Sequence, residues 1–266
     1  MAEDIKLMDR RNFLVKMGYS LIGSLLGLNY FSNAHAFQQI KVDPFFRSQI
    51  ALIIDDIGFS LPRARKFLEL ECPITFAILP RLAYSRDLAG EIYAQGHEIM
   101  LHQPMEPFDA NIDPGPGALY VGDRANRIIR IMEENISDIP FAIGVNNHMG
   151  SRFTSCQKEM KKALRVIKER DLFFIDSLTS SHSLGYETAK RLDVTTAYRN
   201  IFLDNLPTES AILFQLCKLQ KHAMKYGYAI GIGHPYPETA KTIGRFLKRL
   251  DPAAVSLVHI SKILHT

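Results

Sequence analysis

Three cysteines in 266 residues, Cys72, Cys156 and Cys217, lie far apart with no CxxC spacing. This excludes a disulfide framework and a zinc knuckle. Internal repeats and low-complexity tracts are absent, so solenoid and linker architectures are excluded as well. The formal charge of +4 comes from scattered Lys and Arg. Without a basic stripe interleaved with aromatics, nothing argues for nucleic acid. No second apolar stretch argues for a membrane span, and the first run, Met17 to Leu28, is about 12 residues, too short to cross a bilayer as a permanent helix. What remains, 47% hydrophobic and 23% charged, is the composition of one globular domain with a sizeable core.

The amino-terminal 36 residues read as an address. Arg10-Arg11 precedes the apolar run, Phe13 and Leu14 follow the arginine pair, and Ala34-His35-Ala36 supplies a small-residue cleavage pattern. The arrangement resembles a twin-arginine signal, although Asp9 and Val15 depart from the favoured flanks and the general secretory route stays open. Residues 1–36 are therefore expected to be an export signal, 37–49 a lead-in and 50–266 the working domain, periplasmic or extracellular. An uncleaved signal would instead tether the domain to the membrane.

Residues 50–54 are five apolar side chains running into Asp55 and Asp56. A short continuous aliphatic run predicts a strand buried on both faces, as in parallel sheets. Further strands are expected at 74–79, 98–102, 141–145, 172–176, 194–197, 228–233 and 256–259. Amphipathic helices are expected at 61–70, 85–95, 123–136, 158–170, 183–191, 209–226 and 238–249, with Asp123 and Thr208 as first-turn or capping residues and Gly227 as a stop. This alternation predicts an α/β fold in a single domain: a distorted TIM-like (β/α) barrel of seven to eight parallel strands. An open doubly wound sheet is the competitor, but the dinucleotide glycine fingerprint is missing after the first strand.

Polar groups gather where the strands end. Neighbouring side chains on extended backbone point apart, so Asp55 and Asp56 are expected to do different jobs, or one of them caps the following helix. His102, His148, Asp176 and His234 stand at the ends of later strands. Closure into a barrel would bring Asp56, His102 and His148 to one mouth, and one carboxylate with two imidazoles is a usual set for a catalytic divalent metal. Glu106 is an additional or alternative ligand. His97 opens its strand at the far end and reads as structural. Asn146 and Asn147 either satisfy their own turn or grip a polar substrate. The proline-rich loop 104–122 is expected to wall or cover the site.

The order DD, GHEIMLH, NNHMGSRFT, IDS, RNIFLDN and GIGHPYPET resembles the divergent polysaccharide deacetylases, relatives of the NodB-type carbohydrate esterases, over about residues 49–264. The resemblance implies a distorted TIM-like barrel that removes acetyl groups from an extracytoplasmic carbohydrate or peptidoglycan-like substrate, using a divalent metal ion, zinc first. It implies Asp55 as catalytic base, Asp56 as metal ligand and His234 as general acid. Asp176 and Arg199 fall where charged residues of the parent family brace the base and the acid. The family's HxxxH motif falls on His102 to Glu106, so its second histidine is replaced by Glu106, and His148 is inferred to supply the missing imidazole. The altered ligand set leaves two rivals: a glycan-binding protein of the same fold that has lost hydrolysis, and a metal hydrolase of another ester, amide or phosphoester. Arg152 and Arg199 would favour an anionic substrate in the latter case.

Overall fold

The computed structural model describes residues 47–264. The expected export signal and all but the last three residues of the lead-in lie outside them. The described chain runs β1 (Ser48–Ile57), α1 (Leu61–Leu68), β2 (Thr75–Ile78), α2 (Ser85–Ala94), β3 (Glu98–Met105), α3 (Ala125–Asp138), β4 (Ala142–Met149), α4 (Gln157–Glu169), β5 (Phe173–Asp176) and α5 (Gly185–Arg191). It continues with β6 (Thr196–Tyr198), β7 (Ile201–Phe202), α6 (Glu209–Tyr226), β8 (Tyr228–Gly233), α7 (Pro237–Leu247), β9 (Val255–Val258) and α8 (Ile260–Leu264).

All the strand pairings are parallel, in the order β6-β5-β4-β3-β2-β1-β8-β7, with β9 added against the start of β1. The two ends of that path, β6 and β7, are consecutive in the chain. Residues 196–202 pair first with β5 and then with β8, and the change of partner falls between Arg199, whose N–H donates to the Asp176 carbonyl, and Asn200, whose N–H donates to the Ile230 carbonyl. One segment thus spans the seam, and the sheet curls into the distorted barrel that the alternation predicted.

Side-chain alternation divides the core in two. Ile50, Leu52 and Ile54 face outward and pack with helix residues such as Phe67, Leu88 and Ile243. Ala51 and Ile53 face inward with Ala77, Met100, Ile175, Ile230 and Ile232. The barrel floor is filled from below by Ile260 and Ile263 of α8. Gly144 leaves room inside for the Phe173 ring, which stands where a Cβ would be. Each large aliphatic group sealed this way contributes about 1.5–3 kcal/mol.

Most helices follow the sequence pattern. Met160, Ala163, Leu164 and Ile167 of α4 form its buried stripe, and α6 begins at Thr208, whose hydroxyl accepts from the Ala211 N–H, and ends at Gly227 with φ 90°. Helix α3 starts two residues later than expected. Asp123 does not cap it: its carboxylate turns back to the Tyr120 N–H and pairs with Arg127 at 3.0 Å. Among the described residues, no helix is long and apolar enough to cross a membrane.

Candidate metal centre

Strand β1 delivers two carboxylates to one place. Inward alternation from Ala51 and Ile53 aims Asp55 into the barrel. Asp56 then adopts φ 57°, and the register with β2 shifts between Ile54 and Ile57. Aspartate is one of the few residues that enters the left-handed region readily, and the bulge turns a side chain that would have pointed away back to the mouth. The expectation that the two side chains diverge is therefore corrected by this single dihedral. Such a residue costs about 1–3 kcal/mol and persists where its surroundings over-determine it. Gly58 completes the turn at φ 130°, with Ser85 and Leu82 occupying the space a side chain would need.

Strands β3 and β4 bring the imidazoles. His102 stands opposite Asn146 in the ladder, and His148, two residues beyond Asn146, shares its inward face. His102 Nε2 lies 3.2 Å from Asp56 Oδ1, His148 Nδ1 lies 2.9 Å from the same oxygen, and the two nitrogens are 3.2 Å apart. Ligand atoms at the corners of a tetrahedron with bonds of 2.0–2.1 Å are about 3.3 Å apart. Asp56 Oδ1 is buried and makes no well-directed hydrogen bond. The triangle therefore has the size and donor chemistry of one face of a divalent-metal site, and it is the one such group among the described residues.

Asn146 orders this centre from behind. Its side-chain oxygen accepts from His102 Nδ1 at 2.7 Å, which leaves the Nε2 lone pair facing the triangle, and its amide donates to Asp55 Oδ1 at 2.8 Å. Asp55 Oδ2 is left 3.7 Å from His102 Nε2. Burial raises the pKa of Asp55, despite the opposing charges of His102 and His234 and the Asn146 hydrogen bond. At Asp56 burial acts the same way, but the close approach and charges of His102 and His148 outweigh it and hold the carboxyl far below the usual carboxylate range. His102 is buried too, yet Asp55 and Asp56 draw a proton onto it and raise its pKa. A bound metal would displace the proton that the two carboxylates draw onto His102.

His234 approaches from β8, with Nε2 3.8 Å from Asp56 Oδ2. Its other nitrogen meets Asp204 Oδ1 at 2.9 Å, while Asp204 Oδ2 accepts from the His234 backbone N–H and the Thr239 hydroxyl. Burial opposes charging His234, but the Asp204 hydrogen bond and the charges of Asp55, Asp204 and Asp56 prevail and raise its pKa to about 9. Asp204 is a site residue that strand-end reasoning missed. It follows β7, two residues long and too short to show a periodicity, although the motif RNIFLDN contains it.

The remaining candidates divide. Glu106 is not brought to the triangle: its oxygens accept from the Val121 N–H and pair with Arg152 at 2.9 Å, tying the 107–124 loop to the barrel rim. Arg152 is thereby committed at the rim and does not line the central cavity. Asn147 accepts from the Ser177 N–H and donates to the Met149 carbonyl, so it satisfies the strand-end loops. Asp176 is sealed between β5 and α5, accepting from Ser183, Tyr186 and Leu178. Its contribution is to loop shape, through contacts that do not reach the base. Arg199 lines the cavity with its guanidinium donating to the Ser177 and Leu178 carbonyls. His97 packs edge-on against Phe76 away from the mouth, as expected. A cavity of about 560 Å³ lies over the centre, with Pro107 and Ile112 of the proline-rich loop forming part of its wall. That volume suits a small-molecule or sugar-sized ligand.

Residues 52–264 match the model of a family described as divergent polysaccharide deacetylase. The chain is 30% identical over 222 residues to the uncharacterised protein YibQ of Escherichia coli (strain K12), a match covering 84% of this chain and 69% of that one. It is 33% identical over 225 residues to an uncharacterised protein of Haemophilus influenzae (strain ATCC 51907 / DSM 11121 / KW20 / Rd), covering 82% and 78%. Among solved structures, the uncharacterised protein ATU2773 of Agrobacterium tumefaciens C58 superposes with a TM-score of 0.78 at 27% identity, covering 82% of this chain and 89% of that one.

Proposed function

The chain belongs to the divergent polysaccharide deacetylase family, and from that premise we propose that it is a metal-dependent hydrolase that removes acetyl groups from a carbohydrate outside the cytoplasm. The observation that carries the reading is the juxtaposition of a metal-sized Asp56–His102–His148 triangle with a base, Asp55, and an acid, His234, each less than 4 Å from one of its members. Asp56, His102 and His148 would hold a divalent ion such as zinc, which would supply Lewis-acid polarisation and lower the pKa of a bound water toward about 7.

The residues around the triangle account for the proton movements. Asp55 Oδ1 is occupied by the Asn146 amide, so Oδ2 is the oxygen that takes the water's proton. Burial makes it a stronger acceptor than an exposed aspartate. As the hydroxyl oxygen bonds to the carbonyl carbon, the bond to the sugar nitrogen or oxygen breaks, and His234 Nε2–H protonates that leaving atom. Asp204 accepts from Nδ1–H of His234, and its charge outweighs burial to favour the imidazolium, in which Nε2 also carries a proton to donate. The products are acetate and a de-acetylated sugar. Each well-placed proton transfer is worth about 10²- to 10⁴-fold in rate.

Export by the twin-arginine-like segment is part of the proposal, and cell fractionation tests it. Catalysis is tested by loading the purified full chain with zinc and measuring acetate released from acetylated chito-oligosaccharides and peptidoglycan fragments. Release that is abolished in Asp55→Asn supports the reading. Glycan binding without release, from protein shown to hold zinc, would overturn hydrolysis and leave a binding protein of the same fold. Hydrolysis of chromogenic phosphoesters in preference to acetyl groups would point to the other rival.

A further inference from the structure

A second, smaller cleft of about 180 Å³ opens off the candidate centre, sharing Asp56 and His234 with it. It lies below the range typical of pockets for whole ligands, so it fits one part of a longer molecule whose reacting part lies over Asp56. Its walls are the two turns that carry Asp56 and His234: Phe59 follows the first, Tyr236 the second, and both begin proline-started helices, α1 and α7. Phe59 is 65% exposed and Tyr236 37% exposed. Exposed aromatic faces beside a catalytic pair suit the C–H face of a sugar ring.

The charge in the cleft is of one kind beyond the centre itself. Arg63, exposed in the first turn of α1, lines it and makes no ion pair with any described residue. The first turn of α1 contains no acidic residue, and the Ser60 side chain makes no capping hydrogen bond, so the helix end adds its partial positive charge to that of Arg63. Of the other two candidate cations, Arg152 is neutralised by Glu106, and Arg199, in the wall of the larger cavity, is turned to the Ser177 and Leu178 carbonyls.

Resting on the reading of the site as one that acts on a glycan, we infer that the cleft holds the neighbouring sugar of an acidic glycan strand, with Phe59 and Tyr236 against the ring and Arg63 on a carboxylate substituent. The substrate class is then a polymer in which carboxylate-bearing units adjoin acetylated ones, and Arg63 is its specificity-determining residue.

Binding to the zinc-loaded full chain carrying Asp55→Asn is measured by calorimetry with two probes of equal length. One is neutral N-acetyl chitotetraose, the other a tetrasaccharide alternating N-acetylglucosamine and N-acetylmuramic acid. The charged strand is expected to bind roughly tenfold more tightly at low salt, as one exposed charge-assisted contact provides, and the preference should shrink with added salt. Adding Arg63→Gln should erase the preference, whereas adding Phe59→Ala should weaken both probes alike. Thermal melting confirms that each variant is folded. Equal affinity for the two probes, or a preference that survives Arg63→Gln, overturns the inference. Because binding is read and acetate is not, a chain that prefers the charged strand yet releases no acetate retains this subsite and loses only the hydrolytic reading.

Discussion

Asp204 grips His234 at two points, accepting from its backbone N–H at 2.6 Å and from its Nδ1 at 2.9 Å. The imidazole is thereby fixed in direction and favoured in its charged form. Replacing Asp204 by Asn should lower kcat by about 10²- to 10⁴-fold with a smaller effect on KM. It should also move the alkaline limb of the pH–rate profile to lower pH, because the anion that raises the His234 pKa is gone. A profile whose alkaline limb stays in place would remove Asp204 from this role.

The same pair makes stability depend on pH. His234 is raised in the folded chain to about 9 from an ordinary value near 6.5, so its charged form stabilises the fold fully below pH 6.5, and that contribution fades as pH rises through 9. In the metal-free protein, the gap in melting temperature between the natural chain and His234→Gln should be widest below pH 6.5 and close above 9. A gap that widens with alkali would contradict the assignment.

Asn146 links a ligand to the base, so its loss should be felt twice. Asn146→Leu frees the His102 ring to turn and takes a hydrogen bond from Asp55. Zinc affinity, measured by chelator competition, should fall about 10- to 100-fold, and residual turnover at saturating zinc should remain below that of the natural chain. Unchanged zinc affinity would show that His102 is oriented by something else.

Ligand assignment separates Glu106 from His148. His148→Ala should abolish stoichiometric zinc by elemental analysis, since it removes one corner of the triangle. Glu106→Gln should keep the metal and loosen the rim loop, seen as faster proteolysis within 107–124. Zinc lost from Glu106→Gln and kept by His148→Ala would reverse the two roles.

Inside the barrel, Gly144→Ala places a methyl group into the Phe173 ring. Overpacking of this kind costs about 1–3 kcal/mol, read as a lower denaturation midpoint with an unchanged slope.

The sequence was most readable where one physical rule acted alone. Alternating buried strands and amphipathic helices exposed the architecture, and the polar residues interrupting each aliphatic run marked the mouth, so His102, His148 and His234 were found from position. Asp56 was recognised, but its direction was not, because one left-handed dihedral reverses the alternation rule. Strand β7 and helix α8 are too short to show a period, and with them Asp204 and the Ile260–Ile263 floor plug went unread. Glu106, Asn147 and Asp176 have the chemistry of ligands or substrate clamps. Only three-dimensional contacts reveal that loop N–H groups already occupy them.

The earliest described strand, paired early with β2 on one edge, has its other edge covered only late. Ile50 of β1 pairs with Ala229 of β8 and Leu257 of β9, so about 180 residues must leave the ribosome before one of its edges is covered, roughly ten to forty seconds of synthesis. Throughout that interval its aliphatic run lies open to other chains. The Asp55–Asp56 tip follows it immediately and ends the sticky segment with charge. Two residues that serve the mouth of the finished barrel therefore also help keep the nascent chain soluble.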